Sequence, residues 1–320
     1  MITPTVTPAP PTPVHLRGLY PSREPLTSAG GPHAAVLKLV VDALASPSAA
    51  GLLPVDLTVA AFGDAMRDAL ADPKIIDAPT AARLASGVRA LLVAWPASEK
   101  KHFALLYMTR LLVAASFATA AAVLDADMPA VLLAPNGGVL GGELDSTDTP
   151  LPAARGARLM ALAVLANVAA CPDGANRLLG GADGPEGRGA SVVQAAARAL
   201  CATSDGAVGQ MGGALSLNLS LALTGEARAD AASELRPQLL TAALRTLCAL
   251  DEAPAADAEH LGRTLSVVGH LLSPGADGED DEAVAVALSL DAPSALERLR
   301  QKATAAGHSS LLDRVAQQLQ

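Results

Sequence analysis

Aromatic residues are nearly absent from this sequence, and their scarcity limits the folds that it can adopt. Phe, Trp and Tyr make up 2% of the 320 residues, whereas 51% of the residues are hydrophobic. Ala, Leu and Val supply most of this apolar mass, and Ala and Leu are strong helix formers. No stretch alternates β-branched or aromatic residues with polar ones between turns, as half-buried strands do. The sequence therefore predicts an all-α protein.

Cysteine is also scarce, and its placement argues against disulfides and metal sites. Cys171, Cys201 and Cys248 lie far apart and form no CxxC pair. The six histidines show neither an HExxH motif nor Cys/His metal spacing. We therefore expect no metal and no cofactor. Three unpaired thiols are typical of a reduced compartment, so we expect the protein in the cytoplasm or the nucleus.

The sequence lacks both a long hydrophobic run and an excess of positive charge. Its longest apolar run, 111–124, is too short to span a bilayer and contains Ser116 and Thr119. Lys and Arg number 23 against 32 Asp and Glu, which gives a formal net charge of −9. A general binder of nucleic acid or of membrane surfaces needs a basic field. We expect neither as a partner.

Motifs for catalysis are missing as well. The chain contains no nucleophile elbow, no kinase signature and no Trp-Cys-x-x-Cys motif. Gly137-Gly138 and Gly141-Gly142 are glycine pairs like those of a phosphate-binding loop, but no GK[ST] follows them and no strand precedes them. The sequence predicts a surface loop there, over 136–151, and a protein that is not an enzyme.

Helical segments separated by Pro, Gly and Asp fill most of the chain. Residues 1–14 are predicted to be a disordered Pro/Thr-rich linker, and residues 15–320 one helical-repeat domain. A succession of short helices in units of about 40–50 residues is typical of armadillo/HEAT-type stacking. The predicted helices are 33–46, 56–72, 80–94, 98–115, 117–125, 128–133, 153–170, 173–179, 190–203, 206–223, 229–250, 256–272, 281–290, 294–306 and 310–319.

The central helix, 98–115, is apolar on almost every side, which predicts burial between other helices. Ser98 is its predicted N-cap, with Glu99 directly after it. Inside the apolar run lies one permanent charge, Arg110. Burial of an unpaired guanidinium is costly, so Arg110 must reach a partner or a solvent groove.

Arg110 is the first of four polar residues that lie inside otherwise apolar helices. The others are Asn167, Asn218 and Arg263, at successive separations of 57, 51 and 45 residues. Equivalent positions of stacked repeats line up along one face. An Asn there can donate to and accept from a peptide backbone, and an Arg can hold a carboxylate with two hydrogen bonds. The series predicts a groove for an extended acidic peptide.

A structural role for each of these residues stays open. Either Asn could cap a neighbouring helix or bond a loop carbonyl. Arg110 could pair with Glu99, and Arg263 with Glu259, which lies four residues before it at helical ion-pair spacing. Weaker candidates for the groove are Arg158, Lys100, Lys101 and Tyr107. The lysines could simply be solvated, and Tyr107 could belong to the core.

The order of several short motifs resembles the PUL domain, the armadillo-like C-terminal module of the phospholipase-activating protein family. Trp95-Pro96, His102-Phe103 and Arg110-Leu111 are similar to its opening repeat. Three further pieces are similar to its later repeats in the same order: 163–167 with 173–179, then 215–223, then 263–272 with 283–290.

This resemblance implies a right-handed armadillo-like superhelix that acts as a non-catalytic adaptor in ubiquitin-dependent protein turnover. PUL domains bind the acidic, tyrosine-containing C-terminal tail of the valosin-containing-type AAA ATPase along a positively charged ridge. Arg110 and Arg263 fall where the family pattern places ridge arginines, whereas Ala163 occupies one such position and leaves Arg158 as the nearest substitute. We expect a monomer. The alternative is a structural helical-repeat scaffold for another protein partner.

Overall fold

The computed structural model describes residues 32–46, 49, 51–72, 75–135, 137–141, 152–171, 173–180, 188–224, 229–252, 257–273 and 281–319. Across these residues the chain forms fifteen α-helices and no strand, which confirms the all-α prediction. The predicted linker 1–14 and most of the predicted loop 136–151 lie outside the described residues. None of the helices in the described ranges is long and apolar enough to span a membrane.

Every predicted helix overlaps one of the fifteen, and α5, α6 and α10 have the predicted ends. The helices are α1 (Pro32–Leu44), α2 (Val59–Ala71), α3 (Ala78–Ala94), α4 (Lys100–Ala115), α5 (Phe117–Asp125), α6 (Met128–Leu133), α7 (Pro152–Ala169), α8 (Gly174–Leu178), α9 (Arg188–Leu200), α10 (Gly206–Leu223), α11 (Ala229–Glu252), α12 (Ala258–Leu272), α13 (Asp281–Ser289), α14 (Ala292–Ala305) and α15 (Ser309–Gln318).

Side-chain caps define where several helices begin. Asp77 accepts from the backbone N–H of Thr80 at the start of α3, and Asp257 accepts from two N–H groups at the start of α12. Such acceptors satisfy amide groups that have no partner within the helix. The predicted Ser98 cap is wrong by one residue. Glu99 occupies the cap position of α4, and its side chain caps nothing because it pairs with Lys101.

The helices stack in two rows. In the first row, α1, α4, α7, α10, α12 and α15 contact one another in that order. In the second row, α3, α5, α6, α9, α11 and α14 do the same. Contacts such as α9 with α10 and α11 with α12 join the two rows. Each helix group therefore completes its core with the next group along the chain, as helical repeats do.

Helix α4 lies in the middle of this stack, as its all-round apolar sequence predicts. It contacts α1, α2, α3, α5 and α7. Leu105, Leu106, Met108, Leu111 and Leu112 are buried in the core around it. Only one strip of α4 reaches the surface, and that strip carries Tyr107 and Arg110.

Gly138 and Gly141, which follow α6, allow the chain to form a tight turn there. The N–H of Gly138 donates to the carbonyl of Ala134, and the N–H of Leu140 donates to the carbonyl of Leu132. A Cβ atom at Gly138 or Gly141 would collide with the Ala134 backbone. Glycine is needed here because the chain folds directly back onto the end of α6.

Candidate functional site

Arg110 is half-buried on α4 and has no carboxylate partner in the described ranges. Its guanidinium carbon lies 5.2 Å from the centroid of the Tyr107 ring, a cation–π arrangement. Its Nε atom is buried without a hydrogen-bond partner. Burial lowers the pKa of Arg110, and Tyr107 opposes that shift. The pairing of Arg110 with Glu99 that the sequence left open is wrong, because Glu99 contacts Lys101.

A small aromatic group fixes the position of Tyr107 beside Arg110. The Tyr107 hydroxyl is hydrogen-bonded to Nδ1 of His33 at 3.1 Å. The His33 and Tyr107 rings stack with centroids 5.7 Å apart, and the Phe103 and Tyr107 ring centroids are 6.1 Å apart. The negative face of the Tyr107 ring therefore stays turned toward the guanidinium.

The two asparagines join neighbouring helices of the first row. Asn167 Nδ2 on α7 donates to the carbonyl of Arg110 on α4 at 3.2 Å. Asn218 Nδ2 on α10 donates to the carbonyl of Ala166 on α7 at 2.9 Å. Both residues are buried, at 9% and 7% exposed. These contacts favour the structural alternative over a role in holding a peptide backbone.

Arg263 is enclosed by the protein, unlike Arg110. It is 5% exposed, donates from Nη1 to the carbonyl of Gln210 at 2.5 Å and pairs through Nη2 with Glu259. The ion pair that the sequence left open is therefore formed. The proposed contact of Arg263 with a peptide carboxylate finds no support in this geometry, because the guanidinium is directed into the α10–α12 contact. The four polar residues do not form one continuous binding face.

Arg158 lies in a group of arginines that the sequence pattern did not reveal. We call Arg155, Arg158 and Arg198 the arginine cluster. Arg155 binds both oxygens of Asp205 at 2.6 Å, and Arg198 donates to the carbonyl of Leu140 at 2.9 Å. Burial lowers the pKa of Arg158, the charge of Arg198 lowers it further and Asp205 opposes the shift.

Positive charge therefore exceeds negative charge at the arginine cluster. Within the described residues, Arg155 has a carboxylate partner, whereas Arg158 and Arg198 form no ion pair. Arg198 lies in the last turn of α9, and nothing in that amphipathic segment distinguished it from an ordinary surface arginine. Only the packing of the two rows brings it near Arg158.

The two lysines at the start of α4 differ in their surroundings. Lys101 Nζ lies 2.9 Å from Glu99 and 4.9 Å from the centroid of the Trp95 ring, so its charge is already compensated. Lys100 is exposed at the first helical position. Of the two, Lys100 is the one that remains available to an external anion.

This arrangement is suited to carboxylate binding. Arg110 and Arg158 lie on the adjacent helices α4 and α7, and both are partly desolvated, which strengthens their attraction for an incoming anion.

In the described ranges no group of His, Cys, Asp and Glu could hold a metal ion. The buried histidines His102 and His260 bond to the backbone carbonyls of Trp95 and Leu200.

Of three comparisons with known proteins, one found a match. No curated protein and no solved structure matches the chain significantly. A family model described as the PUL domain matches residues 58–318, which is most of the chain. The PUL domain is a protein-interaction domain. The chain belongs to the PUL-domain family, which confirms the resemblance seen in the order of its sequence motifs.

Proposed function

We propose that this protein is a non-catalytic adaptor that binds the acidic C-terminal tail of a valosin-containing-type AAA ATPase. It would act in ubiquitin-dependent protein turnover, in the cytoplasm or the nucleus. The observation that carries the proposal is Arg110, a half-buried guanidinium beside an aromatic ring with no carboxylate partner in the described part of the chain. Membership of a family of protein-interaction domains supports it.

The proposed binding surface runs from Arg110 across Tyr107 to Arg158. The half-buried strip of α4 leads toward α7, whose first turns carry Arg155 and Arg158. An acidic segment lying across α4 and α7 could reach Arg110 with one carboxylate and the arginine cluster with another. In this proposal the two rows form a right-handed armadillo-like superhelix, and the monomer is the binding unit.

Fluorescence anisotropy with an acidic tail peptide tests the proposal. The substitutions R110M and R158M remove a charge but retain an apolar stem, so packing should survive. Loss of one desolvated charge pair costs about 2–5 kcal/mol of binding free energy, so each should weaken binding more than tenfold. The matched control is R67M, which removes an exposed arginine that pairs with Asp64 on α2. Equal affinity of R110M and the parent would refute the site.

The second candidate function is a helical-repeat scaffold for another protein partner. The internal ion pair of Arg263 favours it, because one of the two expected ridge arginines is already used inside the protein. The salt dependence of binding distinguishes the two candidate functions. Binding of an acidic tail should weaken steeply as salt rises, because exposed charges are screened. Partner binding that salt leaves unchanged, together with no binding of the tail peptide, would favour the scaffold.

A further inference from the structure

The arginine cluster holds more positive charge than the protein itself neutralises. Arg155 and Arg158 lie one turn apart near the start of α7, and Arg198 lies in the last turn of α9. Within the described residues, Asp205 is the only carboxylate that pairs with any of the three. Three guanidinium charges against one carboxylate leave an excess of two positive charges.

Asp205 is engaged by Arg155 and leaves Arg158 without a bonded partner. Its two carboxylate oxygens accept from Arg155 at 2.6 Å, and its Oδ1 also accepts from the Val208 N–H at the start of α10. The hydrogen bond from Arg155 holds the pKa of Asp205 below its usual value, so the carboxylate stays charged. In the described part of the chain, Asp205 acts on Arg158 only as a nearby charge.

Arg158 and Arg198 are like charges that the fold holds near each other. Both are half-buried. Burial lowers the pKa of Arg158, and the charge of Arg198 lowers it further. Arg198 donates to the Leu140 carbonyl at 2.9 Å, and its Nε atom is buried with no hydrogen-bond partner among the described residues. An anion between the two guanidinium groups would replace this repulsion by attraction.

Helix packing fixes the place of the cluster. The ring of Phe103 on α4 packs on Gly156 of α7, where an added Cβ atom would lie 3.0 Å from the ring. The Arg155–Asp205 pair joins the start of α7 to the start of α10, and Arg198 joins α9 to the turn after α6. Donors that are already held in place lose little conformational entropy when a ligand binds.

We propose that Arg158 and Arg198 form a phosphate-binding site that takes a phosphorylated serine or threonine of a partner protein. A phosphomonoester carries a charge of about −1.5 to −2 at pH 7 and three strong acceptor oxygens. A carboxylate carries one negative charge and two oxygens, so it leaves part of the excess charge uncompensated. The planar guanidinium can donate two parallel hydrogen bonds to a phosphate.

This inference deepens the proposed function and rests on it in one respect, because the same surface must bind a protein. Membership of a family of protein-interaction domains favours a phosphorylated side chain over free phosphate as the ligand. The inference does not require the ATPase as the partner. It assigns to this half of the surface a preference for phosphate over carboxylate.

NMR of the full chain, isotope-labelled at arginine, tests the site through the Nε–H signals of its side chains. The probes are three blocked peptides of four glycines around a central phosphoserine, glutamate or serine. R158K and R198K assign the two signals. We expect saturable shifts at both arginines, with the phosphoserine peptide binding at least about tenfold more tightly than the glutamate peptide. Equal binding of these two peptides, or shifts confined to other arginines, would overturn the proposal.

Inorganic phosphate separates a docking site from a general anion site. It presents the same oxygens without a peptide, so it should bind more weakly than the phosphoserine peptide and compete with it. Phosphate that binds as tightly as the peptide would refute a site for a protein partner.

Three variants and one control make the result specific. R158M should abolish binding of the phosphoserine peptide. R198K retains a charge and a donor for the Leu140 carbonyl but loses the planar fork, so binding should weaken about tenfold. D205N removes the competing charge and retains an N-cap acceptor, so binding should tighten about threefold or more. R67M is the control and should bind as the parent does. Unchanged binding by D205N would contradict the charge match.

Failure of this site is distinguishable from failure of the proposed ATPase partner. R110M should lose the acidic tail peptide and retain the phosphoserine peptide, whereas R158M should lose both. Tail binding with equal affinity for the phosphoserine and glutamate peptides would refute the phosphate site alone. Binding of the phosphoserine peptide without binding of the tail would support the phosphate site and refute the ATPase partner.

Discussion

Arg110 and Arg263 have similar sequence surroundings and different structural roles. Each interrupts an apolar helix of the first row, in α4 and in α12. Arg110 is half-buried, contacts an aromatic ring and has no carboxylate partner within the described ranges. Arg263 is 5% exposed, pairs with Glu259 and donates to the Gln210 carbonyl. One arginine is available to a partner molecule, and the other is part of the packing.

The difference comes from what the neighbouring helices place beside each guanidinium. Glu259 lies one turn before Arg263 on the same helix, and Gly213 lets α10 approach closely enough to cover the arginine stem. The acid nearest to Arg110 in its own helical region is Glu99, eleven residues earlier, and it contacts Lys101. A polar residue inside an apolar helix therefore does not by itself indicate a binding site.

The largest effect should follow from R263A. This change removes the buried guanidinium with its hydrogen bond to the Gln210 carbonyl and leaves a cavity beside Gly213, so we expect the free energy of unfolding to fall by about 3 kcal/mol. Urea unfolding followed by circular dichroism measures it. E259Q is the control. Its carboxylate is 51% exposed, so its loss should cost less than about 1 kcal/mol. A stable R263A variant would remove the contrast between the two arginines.

Low pH should lower the free energy of unfolding through His260, which interacts with the Arg263 charge. Burial lowers the pKa of His260 below 6.5, and the Arg263 charge adds to that shift, while the Leu200 carbonyl and Asp257 oppose it. The folded state therefore holds His260 neutral, and the unfolded state binds the proton more readily. Stability is complete above pH 6.5 and decreases as the pH falls toward the lowered pKa, by at most about 1.4 kcal/mol per pH unit.

Urea midpoints measured between pH 7.5 and pH 5.5 test this dependence. The substitution H260Q retains a side-chain donor for the Leu200 carbonyl and removes the titration, so it should flatten the profile. His102 also has a pKa lowered by burial and should supply part of the remaining slope. A profile that H260Q leaves unchanged would show that His260 does not titrate on unfolding in this range.

The next largest loss of stability should follow from removing one of the asparagines that join neighbouring helices of the first row. N218A removes the hydrogen bond from α10 to the Ala166 carbonyl, which also accepts from the Ala170 N–H and is not left unpaired. We therefore expect a loss of about 1 kcal/mol in stability. Affinity for the acidic tail peptide should stay unchanged. Lost affinity with unchanged stability would instead restore the hypothesis that Asn218 holds a peptide backbone.

The fold could be predicted from sequence because its determinants are local. Pro, Gly and Asp separate the helical segments, and caps such as Asp77 and Asp257 act within their own first turns. The all-round apolar pattern of α4 correctly indicated a helix with neighbours on most sides. The Ser98 cap failed because two acceptor side chains are adjacent there, and the sequence does not decide between one residue and the next.

The candidate site was less predictable because its determinants are contacts between repeats. Arg110 could be singled out, since a lone charge in an apolar helix is visible in the sequence. The arginine cluster could not, because Arg158 and Arg198 lie on α7 and α9 and become neighbours only after stacking. Similarly, nothing local distinguishes Asn167, which bonds to the preceding helix, from an Asn that faces a peptide.

The smallest effect on stability should come from R110M. This variant is the most direct test of the difference between Arg110 and Arg263. Arg110 carries the cost of partial desolvation without an ion pair in the described ranges, and Met retains a flexible apolar stem beside Tyr107. The lost cation–π contact and the relieved desolvation should nearly cancel, so stability should change by less than about 0.5 kcal/mol. Thermal unfolding measures this change, with R263M as the matched variant that should lose clearly more. A large loss in R110M would mean that Arg110, like Arg263, is held for packing, and the case for an available guanidinium on α4 would fail.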